Sequence, residues 1–424
     1  MSEVIQSRRV TELFPGGSNG EYGLPADLVP VLSRGRGCRV WDEEGREYLD
    51  MTMAWGAALV GHAHPQVVEA AAVQAEKGAN FAAVNSRSLE LAERLVGILP
   101  CAEQVRFVTS GTEATMLCLR IAHAATGRRR VLKFSGAYHG QHSIGVAGML
   151  RGAGADGVEA DLHGCADPGL EGRVLVAPFN DLEGTRSVFE RFGNEVAAVL
   201  VEPLHRCLAP VPGFLAGVRE LASRHGVVLI FDETVTGFRL GLSGAQGRYG
   251  VVPDLAAFGK ALGGGFPLGA YAGSAELMRY VDEHGVGDAG YVWSASTAGG
   301  NPVSCAAALA TLDVLSEEGV YDRLFAMGNR LRELLARVMG DAGEVVQTLG
   351  EGPLAQVAFS GEPVTTHRGW MASDRARGRA LMLALVREGV FLNPMGTKLY
   401  LSIAHGEGDL VELGEKLEKA VRRL

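Results

Sequence analysis

Val227-Val228-Leu229-Ile230-Phe231-Asp232-Glu233 and Asp254-Leu255-Ala256-Ala257-Phe258-Gly259-Lys260-Ala261-Leu262-Gly263-Gly264-Gly265 are the two stretches that decide how this chain folds. The first reads as a buried strand that delivers a carboxylate to its end. Burying a carboxylate with no partner is expensive, so Asp232 must meet a charge or a donor there. Lys260 follows Asp232 by 28 residues and stands between an apolar stretch and a triple glycine. The bland reading of a lone lysine is a solvated surface charge. Its apolar and glycine-rich flanks favour partial desolvation, which lowers an ammonium pKa and frees the amine as a nucleophile. A strand-end aspartate is suited to hold a protonated ring nitrogen.

Outward from this pair, strands alternate with amphipathic helices between about residues 65 and 305. Gln104 to Thr109, Arg130 to Phe134 and Val196 to Val201 read as further strands, with helices starting near Glu113 and around Arg219 to His225. Such alternation argues for a mostly parallel central sheet with helices on both faces. The chain is expected to divide into an N-terminal arm and small-domain hairpin (1–60), a large domain (61–305) and a C-terminal small α+β domain (306–424). The hairpin pairs Gly37 to Asp42 with Glu47 to Asp50 around Glu43-Glu44-Gly45-Arg46. A long helical stretch is expected from Asn301-Pro302 to about 340.

The chain has 424 residues, 47% hydrophobic and 21% charged, with net charge −9. The one basic cluster is Arg128-Arg129-Arg130, so no nucleic-acid surface is expected. Six scattered cysteines show no CxxC and no paired histidine spacing, so no metal site is expected and the thiols fit a reducing cytoplasm. The polar N-terminus lacks the apolar core of a signal peptide. No apolar run reaches ~18 residues, and no membrane span is expected.

Other segments fall at the ends of the expected strands. Ser110-Gly111-Thr112-Glu113 joins a strand to a helix start, where backbone N–H groups meet an anion; the simpler reading is an ordinary N-cap. Tyr138-His139-Gly140 offers an aromatic to stack on a planar ring, or merely loop packing. Glu202-Pro203 ends a strand, and carboxylates there lie at the crevice where open α/β sheets bind ligands. Ser296-Thr297-Ala298-Gly299-Gly300-Asn301-Pro302 supplies a hydroxyl and glycines before a helix. A lysine Schiff base with an aspartate–pyridinium pair is the mark of pyridoxal 5′-phosphate (PLP) chemistry.

The order of these elements resembles the class III aminotransferases of fold type I, most nearly their glutamate-1-semialdehyde aminomutase branch. The shared strings are Phe14-Pro15-Gly16-Gly17, Trp55-Gly56, Gly61-His62-Ala63-His64-Pro65, Ser110 to Met116, Tyr138-His139-Gly140, Val201-Glu202-Pro203, Asp232-Glu233, Thr236-Gly237-Phe238-Arg239, Gly250 to Asp254, Lys260 and Gly299 to Pro302. The resemblance spans nearly the whole chain. It implies that Lys260 forms the Schiff base with PLP and moves the proton, and that Asp232 pairs with the pyridine nitrogen. Ser110, Gly111 and Thr112 would bind the phosphate. Tyr138 would stack on the ring, with His139 beside it, and Glu202 would lie near its phenolic side. Thr297 would reach the phosphate of the neighbouring subunit, making a homodimer the active unit.

Three departures fall where substrate would touch. In the aminomutase branch the FPGG string runs on to an arginine that grips the substrate carboxylate; here Ser18-Asn19-Gly20-Glu21-Tyr22-Gly23 holds none. Gln141-His142-Ser143-Ile144-Gly145 and the glycine-rich stretch from Gly152 to Gly157 replace the gating loop. Asn393-Pro394-Met395-Gly396-Thr397-Lys398 lacks the expected acid. A glutamate repels a carboxylate and suits an amine or hydroxyl donor. The leading expectation is therefore a PLP-dependent aminotransferase that moves an amino group from an amino acid, such as L-glutamate, to an aldehyde or ketone. An oxidised aminosugar or aminoglycoside acceptor, as in antibiotic biosynthesis, is the best fit. Candidate substrate contacts are Glu21, Tyr22, Trp55, His142, Arg239 and Lys398. The alternatives are a glutamate-1-semialdehyde 2,1-aminomutase, a β-amino-acid transaminase using Arg8, Arg34 or Arg36, and a catalytically silent binding protein of the same fold.

Overall fold

The computed structural model describes residues 10–20, 23–154, 157–287, 290–393, 396 and 398–424. The chain forms two compact units: residues 65–321 with 365–368, and residues 1–64 with 322–364 and 369–424. Residue 305, where the sequence reading draws a boundary, falls inside a helix, Pro302–Leu315, of the larger unit.

The larger unit is built on seven strands: β1 (Gln104–Val108), β2 (Arg130–Phe134), β3 (Val174–Ala177), β4 (Val196–Val201), β5 (Val228–Asp232), β6 (Leu255–Phe258) and β7 (Gly269–Gly273). Their order across the sheet is β1-β7-β6-β5-β4-β2-β3. β2 through β6 run parallel, and β7 alone runs against both its neighbours. The central strands β4, β5 and β6 are buried along their whole length. That burial explains why they read as unbroken apolar runs rather than alternating ones.

Side chains nevertheless alternate between the two faces of each strand. Ala198 and Leu200 of β4 and Val228 and Ile230 of β5 pack with Ala114, Leu117, Cys118 and Ile121. Those four residues belong to helix α3 (Gly111–Thr126), which follows helices α1 (Pro65–Ala75) and α2 (Ser86–Ile98). The same period of two continues from Val228 and Ile230 to Asp232. It therefore turns the Asp232 carboxylate to the α3 side of the sheet.

The smaller unit carries the expected hairpin, with Arg39–Asp42 antiparallel to Glu47–Asp50. Its helix Glu407–Val421 supplies Asp409 and Glu412, whose carboxylates lie 2.5 and 2.7 Å from the Arg39 guanidinium. Among the described residues, no helix is long and apolar enough to cross a membrane.

Candidate active site

Five strands of the larger unit that point the same way end in, or lead into, a residue singled out from the sequence. Ser110 follows β1, Tyr138 and His139 follow β2, Glu202 follows β4, Asp232 ends β5 and Lys260 follows β6. The carboxyl ends of parallel strands are where open α/β sheets form their ligand crevice.

Asp232, 6% exposed, is fixed on both oxygens. Oδ1 accepts from the Thr234 N–H at 3.1 Å and from the Thr234 hydroxyl. Oδ2 lies 2.8 Å from His139 Nδ1. Burial lowers the His139 pKa against the raising effect of the Asp232 bond, so the imidazole is neutral at neutral pH. An ionised carboxylate only accepts, hence Nδ1 carries the proton and donates it to Asp232. His139 Nε2 is buried and has no hydrogen-bond partner among the described residues.

Glu202 ties the β2 loop to the end of β4. Its Oε1 accepts from Tyr138 N–H at 2.8 Å and its Oε2 from Arg206 N–H at 3.1 Å. Beneath this loop lies Lys133, fully buried on β2, whose Nζ donates to the carbonyls of Ile144 and Gly145 at 3.1 and 2.8 Å. Burial pulls its pKa down to about 7. The signal for Lys133 was present in the sequence as a lysine inside Val131-Leu132-Lys133-Phe134. Thr234 was signalled too: a threonine two residues past an aspartate forms a local turn bond with it.

Helix α3 begins with Ser110 as its N-cap, the Ser110 hydroxyl accepting from Glu113 N–H at 3.2 Å. The N–H groups of Gly111 and Thr112 make no hydrogen bond among the described residues, and they carry the helix's partial positive charge. The Thr112 hydroxyl accepts from Gln141 N–H at 3.3 Å. A Cβ on Gly111 would come within 2.7 Å of Thr234, so the helix start and the Asp232 turn are packed to backbone contact. Lys260 opens a short 3-10 turn with φ +45°, a left-handed conformation for a side-chain-bearing residue. Thr297 lies in the same unit, its carbonyl accepting from Asn80 Nδ2 at 2.9 Å.

A family model for aminotransferase class-III matches residues 25–405. The chain belongs to the class-III aminotransferases. As such it is similar to the glutamate-1-semialdehyde 2,1-aminomutase of Thermomicrobium roseum, 40% identical over 97% of this chain and 95% of that one. Among solved structures it is similar to an omega-transaminase from Sphaerobacter thermophilus (34% identity, TM-score 0.92, 100% of this chain and 97% of that one). A β-phenylalanine aminotransferase from Variovorax paradoxus also superposes (29% identity, TM-score 0.85, 98% and 92%). Class-III aminotransferases are PLP-dependent enzymes of fold type I. The residues of this one fit that cofactor. Unbonded N–H groups at the α3 start suit a phosphate dianion, and a carboxylate clamped on both oxygens suits a cationic ring nitrogen.

The remaining candidates of this aminotransferase divide between the two units. His142 caps the short helix Ser143–Val146: its Nδ1 accepts from Gly145 N–H at 3.1 Å, and its Nε2 lies 3.2 Å from the Thr115 hydroxyl. Both ring nitrogens are thereby engaged within the fold, and burial lowers its pKa to about 4. Arg239 is 1% exposed and donates through Nε to the Val235 carbonyl at 3.1 Å. Trp55, 43% exposed, and Lys398, 5.7 Å over the Tyr400 ring, belong to the smaller unit. Arg34 lies 4.0 Å over the Trp41 ring in that same unit. Glu21, Tyr22 and Arg8 lie outside the described residues.

Proposed function

We propose that this class-III aminotransferase moves an amino group on or off an amino carboxylate whose amine stands away from the carboxylate's α carbon, with glutamate-1-semialdehyde first among such substrates. The substrate class is supported by what two relatives are named for: a glutamate-1-semialdehyde aminomutase and a β-phenylalanine aminotransferase. The chemistry is supported by one observation above all, the clamped, buried Asp232 at the end of β5 beside the strand that leads to Lys260.

When bound, PLP supplies an electron sink for the carbon that bears the amine. Asp232, held in place by His139 and Thr234, would keep the ring nitrogen protonated. Lys260 would hold the cofactor through Nζ, and the same amine would serve as the base that moves the proton at the amine-bearing carbon. Gly111 and Thr112, with Ser110, would bind the phosphate, Tyr138 would stack on the ring, and Glu202 would border its phenolic side. Thr297 completes the phosphate site of the partner subunit in a homodimer, which sedimentation of the holoenzyme tests as a two-chain mass.

A second reading, transfer to an oxidised aminosugar, is favoured by the lack of an arginine between Phe14 and Pro25. A half-reaction screen separates the two. Purified holoenzyme is mixed with glutamate-1-semialdehyde, 3-amino-3-phenylpropanoate, L-glutamate or glucosamine while the cofactor absorbance is followed. Conversion by either of the first two is expected. Conversion by the aminosugar alone moves the second reading ahead, and silence with every amine overturns amino transfer.

A further inference from the structure

The arm that should carry the substrate-gripping arginine has none between residues 15 and 24, yet an amino carboxylate needs a cation. Arg206 stands in the larger unit beside two of the residues just assigned to the ring. It follows Glu202 by four residues, and its guanidinium carbon lies 5.8 Å from the centroid of the Tyr138 ring. Nε donates to the Gly136 carbonyl at 3.1 Å, which aims the planar fork. The two terminal nitrogens make no hydrogen bond among the described residues, and the side chain is 39% exposed.

We propose that Arg206 is the residue that binds the substrate carboxylate in this enzyme. The inference rests on the amino-carboxylate reading above. Glu202 is the obvious competitor for the guanidinium, but the contact is loose: Nε to Oε1 is 3.9 Å. Glu202 is already satisfied by two backbone N–H groups, so it does not need the arginine. Arg206 therefore keeps both terminal nitrogens for a planar, bidentate partner, the geometry a carboxylate offers.

The backbone supports the same conclusion. Arg206 has φ +59°, in the left-handed region that residues with a Cβ seldom adopt. Such strain persists where the surroundings impose it, and it collects at ligand-binding positions. Here the imposing contact is the Arg206 N–H bonded to Glu202 Oε2. The bond holds the residue in a conformation that turns an unbranched cationic side chain back over Tyr138.

The test uses a matched pair of amines, 3-amino-3-phenylpropanoate and 1-phenylethylamine, that differ by one carboxylate. Arg206→Asn removes the charge and tolerates the left-handed backbone; Arg206→Lys keeps the charge without the fork. For Arg206→Asn the expected result is a KM for the carboxylated amine raised about 30-fold or more, kcat within about 3-fold, and no change with the neutral amine. Arg206→Lys should recover part of the loss. Equal effects on both amines, or none, overturn the assignment.

If neither amine reacts with the wild-type enzyme, as for an enzyme confined to glutamate-1-semialdehyde, binding still decides the inference. Calorimetric titration of the holoenzyme with 3-phenylpropanoate and with 3-phenylpropanamide needs no turnover. Tighter binding of the acid by the wild type, lost in Arg206→Asn, upholds Arg206. Equal affinities in the two proteins, or no binding of the acid, refute it.

Discussion

Asp232 shows how much one residue can announce. Its position after Val228-Leu229-Ile230-Phe231 makes burial of a carboxylate inevitable, and burial makes partners obligatory. The identity of those partners is another matter. Thr234 is local, but His139 lies 93 residues away in sequence. Asp232→Asn keeps the shape and removes the charge, and it turns an N–H2 group toward the His139 N–H if Oδ1 stays with Thr234. Its turnover is expected to fall roughly 100-fold or more, with PLP still bound, as single-turnover absorbance measurements will show. Lys260 and Arg206 share a further trait that the sequence hides, positive φ values of 45° and 59°. Each costs on the order of 1 kcal/mol, and no residue type in these two segments advertises it.

Among elements, the long apolar runs were legible and the short ones were not. β2, β4 and β5 follow from consecutive branched and aromatic residues that suit a strand covered on both faces. β6 spans only Leu255–Phe258, and β7 is Gly-Ala-Tyr-Ala-Gly, which carries almost no strand preference. Tertiary contact explains β7: a Cβ at Gly269 would lie 2.5 Å from the Ser110 carbonyl, so glycine is required where that strand passes the start of α3. The helix start is equally tight at Gly111. Gly111→Ala would push Thr234, and with it one clamp on Asp232, while disturbing an N–H assigned to the phosphate. PLP affinity is expected to drop about 10-fold or more, measured by titrating the apoenzyme with PLP. The helical stretch read as running from 301 to about 340 is two helices, α4 (Pro302–Leu315) and one spanning Val320–Asp341, with Gly319 at φ +75° between them. α4 joins the larger unit because it packs on α1 and α2.

For the molecule as a whole, buried histidines set an acid limit. His205 is stacked on Phe179 with centroids 4.9 Å apart, and neither ring nitrogen has a hydrogen-bond partner among the described residues. Burial lowers its pKa to about 3, and lowers that of His142 to about 4. The unfolded chain takes up these protons near pH 6.5 while the folded one refuses them. The unfolded state therefore binds more protons below pH 6.5. The stability held above that pH is lost progressively as pH falls toward 4 and then 3. His205→Phe keeps the stack and removes a titrating group, so its urea midpoint should decline less steeply between pH 6.5 and 4 than that of the wild type. Parallel declines would show that His205 does not contribute to the acid limit. What the sequence determined by itself was four of the seven strands, the strand-end carboxylates and lysine, and through them the cofactor, because each depends on a local run of residue types. The tertiary structure alone decided that His139 meets Asp232 and that Arg206 lies over Tyr138. Those pairings depend on β2, β4 and β5 standing side by side, and strand order is set by the packing of the whole unit, which no local pattern encodes.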